Sequence, residues 1–325
     1  MSTQKPRVYI SRKLDKTGLK DLYAECQVRM HAKRTPPTRK EFLRQVKWAD
    51  GIITVLTEKV DAEVFKTNPH LKIVANYAVG FDNIDLKAAA RAGVPVSNTP
   101  GDLAGAVAEH AMAFMLNSAK RVLEGDAYVR AGKYKAWDPL LLVGSDVRGT
   151  TLGIVGTGRI GSALAEIACG GFGMDVVYYD VVPNKEIEKK YGARKLSLEA
   201  LLKKSDYVSL HVPLLPSTRH LIGARELKLM KPTAHLINTS RGPVVDEKAL
   251  VRALKNKTIA GAGIDVYECE PKQAPGLRSL PNVVLTPHIA SATFAARTEM
   301  AEIAVQNVLD VLKRGKSPRN EVTAR

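Results

Sequence analysis

Three segments in the second half of the chain bring together residue types that can hold an anion and move a proton. Asn238-Thr239-Ser240-Arg241-Gly242 follows the apolar run Ala234–Asn238, so Arg241 stands just beyond the carboxyl end of a candidate strand. Residues 261–271, GAGIDVYECEP, then supply Asp265, Glu268 and Glu270 at the end of the next candidate strand. Residues 284–293, VLTPHIASAT, deliver His288 after the one that follows. Ligands of open α/β sheets bind along that edge. An arginine there suits a bidentate grip on a carboxylate. Histidine has the side-chain pKa nearest neutrality, and a neighbouring carboxylate favours its protonated form. A general acid beside an anion clamp suits reduction of a 2-keto acid, in which hydride reaches C2, the acid protonates the oxygen and the arginine holds the carboxylate. The other six histidines, His31, His70, His110, His211, His220 and His235, lack this company in the sequence and are read as structural.

A second constellation lies upstream. Residues 153–161, GIVGTGRIG, run from a β-branched stretch into G-x-G-x-x-G at Gly156, Gly158 and Gly161. The first glycine allows the tight turn, the second lets backbone approach a pyrophosphate, and the third permits close helix–strand contact. The N–H groups of the following helix face the phosphates, and Arg159 can add a charge-assisted contact. Asp180 ends the next apolar run 19 positions after Gly161, close to the spacing of about 20 at which an acidic residue meets a ribose 2′-hydroxyl. Its charge repels a 2′-phosphate, which favours NAD over NADP.

These residues need strand ends to stand on. Short β-branched runs alternate with helical patterns through most of the chain, which predicts an α/β fold with parallel sheets. Candidate strands are Val8–Ser11, Gly51–Val55, Ile73–Asn76 and Val94–Ser97, then Thr151–Val155, Asp175–Tyr179, Tyr207–Leu210, Ala234–Asn238, Gly261–Asp265 and Val283–Leu285. Thr38 with Glu41 reads as a capping box opening a helix. The proline-free stretch from Asp102 to about Leu123 reads as one long helix. The final helix, from Thr293 to about Lys313, is expected to return to the first domain. The expected organisation is a substrate domain of residues 1–100 and 289–325, interrupted by a dinucleotide-binding Rossmann domain of residues 101–288.

Composition bounds the function classes. The 325 residues are 45% hydrophobic and 25% charged, a balance that excludes intrinsic disorder as the main state. Lys+Arg 49 against Asp+Glu 33 gives a net charge of +16. The cations are scattered without interleaved aromatics, so an anionic ligand is expected rather than nucleic acid. No apolar run reaches the roughly 18 residues of a membrane span and none near the start resembles a signal h-region. With three cysteines lacking CxxC spacing, neither a zinc site nor a disulfide framework is indicated. A cytoplasmic protein without a metal is expected.

In order along the chain, Asn76–Asp85 (NYAVGFDNID), Asn98-Thr99-Pro100-Gly101, the glycine loop, the Arg241 segment, Asp265–Pro271 and Pro287-His288 resemble the D-isomer-specific 2-hydroxyacid dehydrogenase family over nearly the whole length. The resemblance implies two Rossmann-like domains, a nucleotide domain inserted in a discontinuous flavodoxin-like catalytic domain. It implies that Arg241 binds and polarises the substrate, that Glu270 pairs with the catalytic histidine, and that His288 donates the proton. Glu270 is preferred to Glu268 because the family's glutamate stands five residues after the aspartate matched by Asp265. Val79 and Gly80 would receive the substrate carboxylate through backbone N–H groups. The expected cofactor contacts are Gly156, Gly158, Arg159, Ile160, Gly161, Asp180, Val212, Pro213, Thr239 and Asp265, the last at the nicotinamide end.

Within the family the chain looks most like glyoxylate and hydroxypyruvate reductases. Residues 104–110, AGAVAEH, look more like the phosphoglycerate dehydrogenase branch, and Ala290 stands where glycine is frequent. With the sequence running to Arg325, the regulatory domain of the long members of that branch is not expected. Proline at 287 disfavours a formate dehydrogenase. D-3-Phosphoglycerate dehydrogenase is the alternative activity, and a dinucleotide-sensing regulator without turnover the alternative of another class. The apolar segment Lys133–Val143, with Trp137, suits an intersubunit contact, and the family resemblance also implies a homodimer.

Overall fold

The computed structural model describes residues 4–101 and 103–324. It divides into two compact units, Met1–Asp102 with Thr293–Arg325, and Leu103–Ala292.

The first unit is built on five parallel strands, β1 (Arg7–Ile10), β2 (Gln27–Met30), β3 (Gly51–Thr54), β4 (Ile73–Asn76) and β5 (Val96–Ser97). Their order is β2-β1-β3-β4-β5. β3 and β4 are buried at every position, as strands covered by helices on both faces must be. The sequence reading omits β2. Its residues QVRM alternate exposed and half-buried at the sheet edge, so no apolar run marks it. The helix Arg39–Trp48 opens with the expected capping box. Thr38 Oγ1 accepts the Glu41 N–H at 3.3 Å while Glu41 accepts the Thr38 N–H at 2.9 Å. The helix Phe294–Leu312, capped by Thr293, packs in this same unit. Its residue Ala301 lies so close to Gly18 that a Cβ at position 18 would stand 2.6 Å from the alanine methyl. At its end Asp310 is buried and accepts from Arg314 and Arg319 at 2.6 and 2.9 Å.

The second unit carries seven parallel strands, β6 (Thr151–Val155), β7 (Asp175–Tyr179), β8 (Arg194–Lys195), β9 (Tyr207–Leu210), β10 (His235–Asn238), β11 (Gly261–Ile264) and β12 (Val283–Leu285). They lie in the order β8-β7-β6-β9-β10-β11-β12. The chain steps outward from β6 through β7 to β8, then restarts at β9 on the other side of β6. The order therefore reverses between β6 and β9, where open α/β sheets form their ligand crevice. Ile154, Leu152, Leu164 and Tyr178 are fully buried beneath it. β8 is two exposed residues long, too short to leave a periodic signal.

The expected continuous helix from Asp102 to about Leu123 is corrected by the structure. Asp102 lies outside the described residues, and the helix Ala104–Lys120 stops at Arg121, which adopts left-handed φ of 53° before a second helix, Val122–Arg130. The break has a local cause and a distant one. Asn117 Oδ1 accepts the Leu123 N–H at 2.9 Å, and the Ala119 carbonyl is taken by the Ser145 N–H at 2.9 Å. Both bonds compete with helix continuation.

Gly18→Val is expected to destabilise the protein by roughly 1–3 kcal/mol, because the added atoms overpack the Ala301 contact. Urea unfolding of the two proteins reads this as a lower midpoint at unchanged slope.

Candidate active site

The glycine loop leaves β6 at the reversal point. Gly156 has φ of 94°, and a Cβ there would meet the His211 carbonyl at 2.8 Å. Only glycine fits such a position. A Cβ at Gly161 would collide with the Gly156 carbonyl, so the helix Arg159–Phe172 can lie close on the turn. At Gly158, by contrast, a Cβ would meet no protein atom within 4 Å. The loop is thus open where a diphosphate approaches and closed elsewhere. Arg159 and Ile160 form the first helical turn beside it.

Asp180 follows β7 and reaches back to this loop. Its Oδ2 accepts the Thr157 N–H at 2.6 Å and the Thr157 hydroxyl at 3.1 Å. The carboxylate is therefore fixed beside the glycine turn by two donors. Asn184 strengthens the same corner by donating to the Thr157 carbonyl at 2.8 Å. Val212 and Pro213 follow β9, and Thr239 follows β10. Two buried polar atoms along this edge, Thr239 Oγ1 and His211 Nδ1, have no protein partner among the described residues. The open face at Gly158 and these two orphaned atoms fit a bound dinucleotide, which would supply a phosphate bridge and polar groups there.

The residues expected to transfer the proton occupy the adjoining strand ends. His288 Nδ1 and Glu270 Oε2 are 2.9 Å apart, and Glu270 Oε1 accepts the Tyr267 N–H at 3.1 Å. One oxygen thus orients the glutamate while the other holds the imidazole, leaving Nε2 as the nitrogen for an external partner. Glu268 is engaged elsewhere, accepting from His220 Nε2 at 2.7 Å and Arg219 at 3.4 Å. Arg241 leaves β10 in extended conformation, and Nη1 donates to the Ser240 carbonyl at 2.8 Å. Asn238 fixes the turn by donating to the Arg241 carbonyl at 3.0 Å and accepting the Ser240 hydroxyl at 2.8 Å.

Asp265 has no exposed surface. Its Oδ1 accepts the Thr286 hydroxyl at 2.5 Å and the Ile289 N–H at 2.8 Å, its Oδ2 accepts the Ala290 N–H at 2.8 Å, and its carbonyl accepts the His288 N–H at 2.9 Å. His288 itself has φ of 57°, a region uncommon for non-glycine residues. Asp265 thus clamps the backbone that presents the histidine. His110 extends the network, with Nε2 3.2 Å from Thr286 Oγ1 and the ring edge-on to Phe114. The reading of all six other histidines as lacking carboxylate company is therefore corrected for two of them. His110 stands 3.9 Å from Asp265 Oδ1, and His220 pairs with Glu268. Both partners are remote in sequence, so no spacing marks them.

In the first unit, Val79 and Gly80 follow β4 in a turn held by two amides. Asn98 Nδ2 donates to the Val79 carbonyl at 2.7 Å and Asn76 Nδ2 to the Gly80 carbonyl at 2.9 Å. With the carbonyls tied, the turn's backbone conformation is set. Among the described residues no cluster of histidine, cysteine or carboxylate side chains is arranged to hold a metal ion.

A dinucleotide-type parallel sheet carrying a Glu–His pair and an arginine at its strand ends is the architecture of a nicotinamide-dependent oxidoreductase acting on a carbinol. The chain belongs to the D-isomer-specific 2-hydroxyacid dehydrogenases: residues 112–290 match the family described as "D-isomer specific 2-hydroxyacid dehydrogenase, NAD binding domain". It is 48% identical to the glyoxylate reductase of Korarchaeum cryptofilum over 98% of this chain and 96% of that protein. A crystal structure of a Thermus thermophilus protein superposes with a TM-score of 0.92 at 44% identity, covering 98% of this chain and 100% of that one. The NADPH-dependent glyoxylate/hydroxypyruvate reductase of Sinorhizobium meliloti, solved with NADP and malonate, gives 0.82 at 31% identity, covering 98% and 97%.

Burial pushes the His211 imidazole down from its ordinary 6.5 to about 4, so it is neutral in the folded protein at pH 7. Unfolded, it takes up its proton near 6.5. The unfolded state therefore binds more protons between these values, and stability falls as pH falls from 6.5 toward 4. His211→Gln is expected to remove up to about 1.4 kcal/mol per pH unit of that slope. Urea midpoints at pH 7, 6 and 5 check this, and parallel slopes in the two proteins would exclude His211 as the group.

Proposed function

We propose that this enzyme reduces a small 2-keto acid, glyoxylate or hydroxypyruvate, to the corresponding D-2-hydroxy acid with NADH. The observation that carries the reading is the 2.9 Å Glu270–His288 pair at a strand end next to that bearing Arg241. The reduced nicotinamide, when bound, supplies the hydride that reaches C2. Arg241 binds the substrate carboxylate and polarises the keto group, assisted by backbone N–H groups at Val79 and Gly80. Glu270 stabilises the imidazolium of His288, whose Nε2 proton passes to the C2 oxygen as the hydride arrives. Asp265 positions His288 through the backbone bonds described above, and its carboxylate lies at the nicotinamide end. The curated relatives named glyoxylate reductase support this substrate class over a phosphorylated one or a non-catalytic regulator.

For the cofactor we infer NAD. The Asp180 carboxylate is pinned beside the loop by Thr157, where it can accept from a ribose 2′-hydroxyl and repel a 2′-phosphate. Gly156, Gly158, Arg159, Ile160 and Gly161 would hold the diphosphate, with Val212, Pro213 and Thr239 lining the approach to the nicotinamide. Cys26, Cys169 and Cys269 are all free thiols, in keeping with a reducing cytoplasmic setting. The proposed domain roles are substrate binding in residues 1–100 and 289–325 and dinucleotide binding in residues 101–288.

We infer a homodimer, and the apolar surface of the second unit supports it. The helix Val122–Arg130 buries none of its residues, and Val122, Leu123, Val129, Tyr134, Trp137, Leu140 and Val143 are all exposed, Trp137 at 78%. An exposed apolar surface of this extent marks an interface.

Initial rates with NADH and NADPH, each against glyoxylate, hydroxypyruvate and 3-phosphohydroxypyruvate, test the reading. The expected result is NADH-linked turnover of the first two. His288→Ala is expected to lower kcat by roughly 10²–10⁴ while NADH binding, read by fluorescence, is kept. Preference for the phosphorylated acid would move the enzyme to another branch of the family, and tight NADH binding without turnover would point to a regulator. Sedimentation equilibrium is expected to give twice the 35.4 kDa of one chain, with Trp137→Glu shifting the protein toward monomer.

A further inference from the structure

Beside the carboxyl ends of β1 and β2 the first unit holds a concavity of about 600 Å³, within the range of small-molecule sites. Five cations line it: Arg12, Lys13 and Lys16 from the segment after β1, and Lys33 and Arg34 from the segment after β2. Asp15 is the one carboxylate of the lining, and its Oδ1 already accepts the Thr17 N–H at 2.8 Å. Lys13, Lys16 and Lys33 form no ion pair among the described residues.

The walls are built rather than incidental. Arg12 Nη2 donates to the Arg34 carbonyl at 2.9 Å and Nη1 to Thr57 Oγ1 at 3.4 Å, with the buried Glu58 carboxylate 4.0 Å away. One guanidinium thereby ties together the segments that follow β1, β2 and β3. The Leu14 N–H meets Met30 Sδ at 3.4 Å, which joins the two apolar lining residues across the concavity. Five cations around one concavity give it a positive potential, which a bound anion lowers. A single carboxylate would leave most of the positive charge uncompensated. A phosphoryl group carries close to two negative charges on three strong acceptor oxygens and can take several donors at once.

We propose that this concavity binds a phosphorylated small molecule, its phosphate among Lys13, Lys16 and Lys33 and its apolar portion on Leu14 and Met30. The site is separate from the proposed keto acid position. Val79 and Gly80 follow β4, and β3 lies between β4 and β1, so the segments that carry Lys13, Lys16 and Lys33 leave strands two or more spacings, roughly 10 Å, from β4.

Inorganic pyrophosphate is the probe, titrated calorimetrically at low ionic strength into the full chain saturated with NADH, so that the glycine loop is filled. The expected result is saturable binding of one pyrophosphate per chain, weakened by about tenfold or more in Lys13→Gln/Lys33→Gln and unchanged by excess glyoxylate. A control of equal charge change, Lys47→Gln/Lys87→Gln, lies on exposed positions of the same unit outside the lining and is expected to bind as the unaltered protein does. Absence of saturable binding, equal loss in the control, or displacement by glyoxylate would each overturn the proposal. These readouts are binding isotherms, so failure of the site and failure of the proposed reaction are distinguishable.

Discussion

The arrangement of the second unit's strand ends depends on one buried carboxylate. Asp265 has no access to solvent and so must find its hydrogen bonds inside the protein. It finds them in Thr286 and in the backbone of residues 289 and 290, while its own carbonyl takes the N–H of His288. The energy a desolvated carboxylate gains from those donors offsets the cost of holding a histidine in left-handed conformation. Strain of this kind persists where the surroundings over-determine it. Glu270 then has only the ring to orient, since the backbone beneath it is already set.

The parallel sheet explains why so few residues suffice. Successive strands of the second unit end on one edge, so short segments after β6, β7, β9, β10, β11 and β12 contribute the glycine loop, Asp180, Val212, Thr239 with Arg241, Asp265 with Glu270, and His288 in turn. The helices between them supply burial. Each of these side chains therefore needs only its own strand and the turn after it, and one edge carries both the glycine loop and the Glu270–His288 pair.

That economy is also why much of the fold and of the proposed site is legible in the sequence. A strand buried on both faces is a continuous apolar run, a glycine turn has a fixed spacing, and the Thr38–Glu41 box spans four residues. Features failing that local test were not legible. β2 alternates polar and apolar residues at an edge, β8 has two residues, and the end of the helix Ala104–Lys120 depends in part on Ser145, a residue 26 positions beyond the carbonyl it takes. His110 sits on that helix and meets Thr286 across 176 positions. Its role in bracing Asp265 exists only in three dimensions, and its sequence neighbours are those of an ordinary buried helix.

The two hydrogen bonds from Thr157 to Asp180 would tie the proposed cofactor choice to loop integrity. A redesign toward a 2′-phosphorylated cofactor would ordinarily begin by replacing the acidic residue with a neutral or basic one. Here that exchange also strips the Thr157 N–H of its acceptor, in the turn that must keep its shape for either dinucleotide. The two properties cannot be tuned one at a time, so a switch needs a coordinated change that supplies a new acceptor for position 157. An evolutionary path between the two cofactors would cross a less ordered loop unless that second change came first.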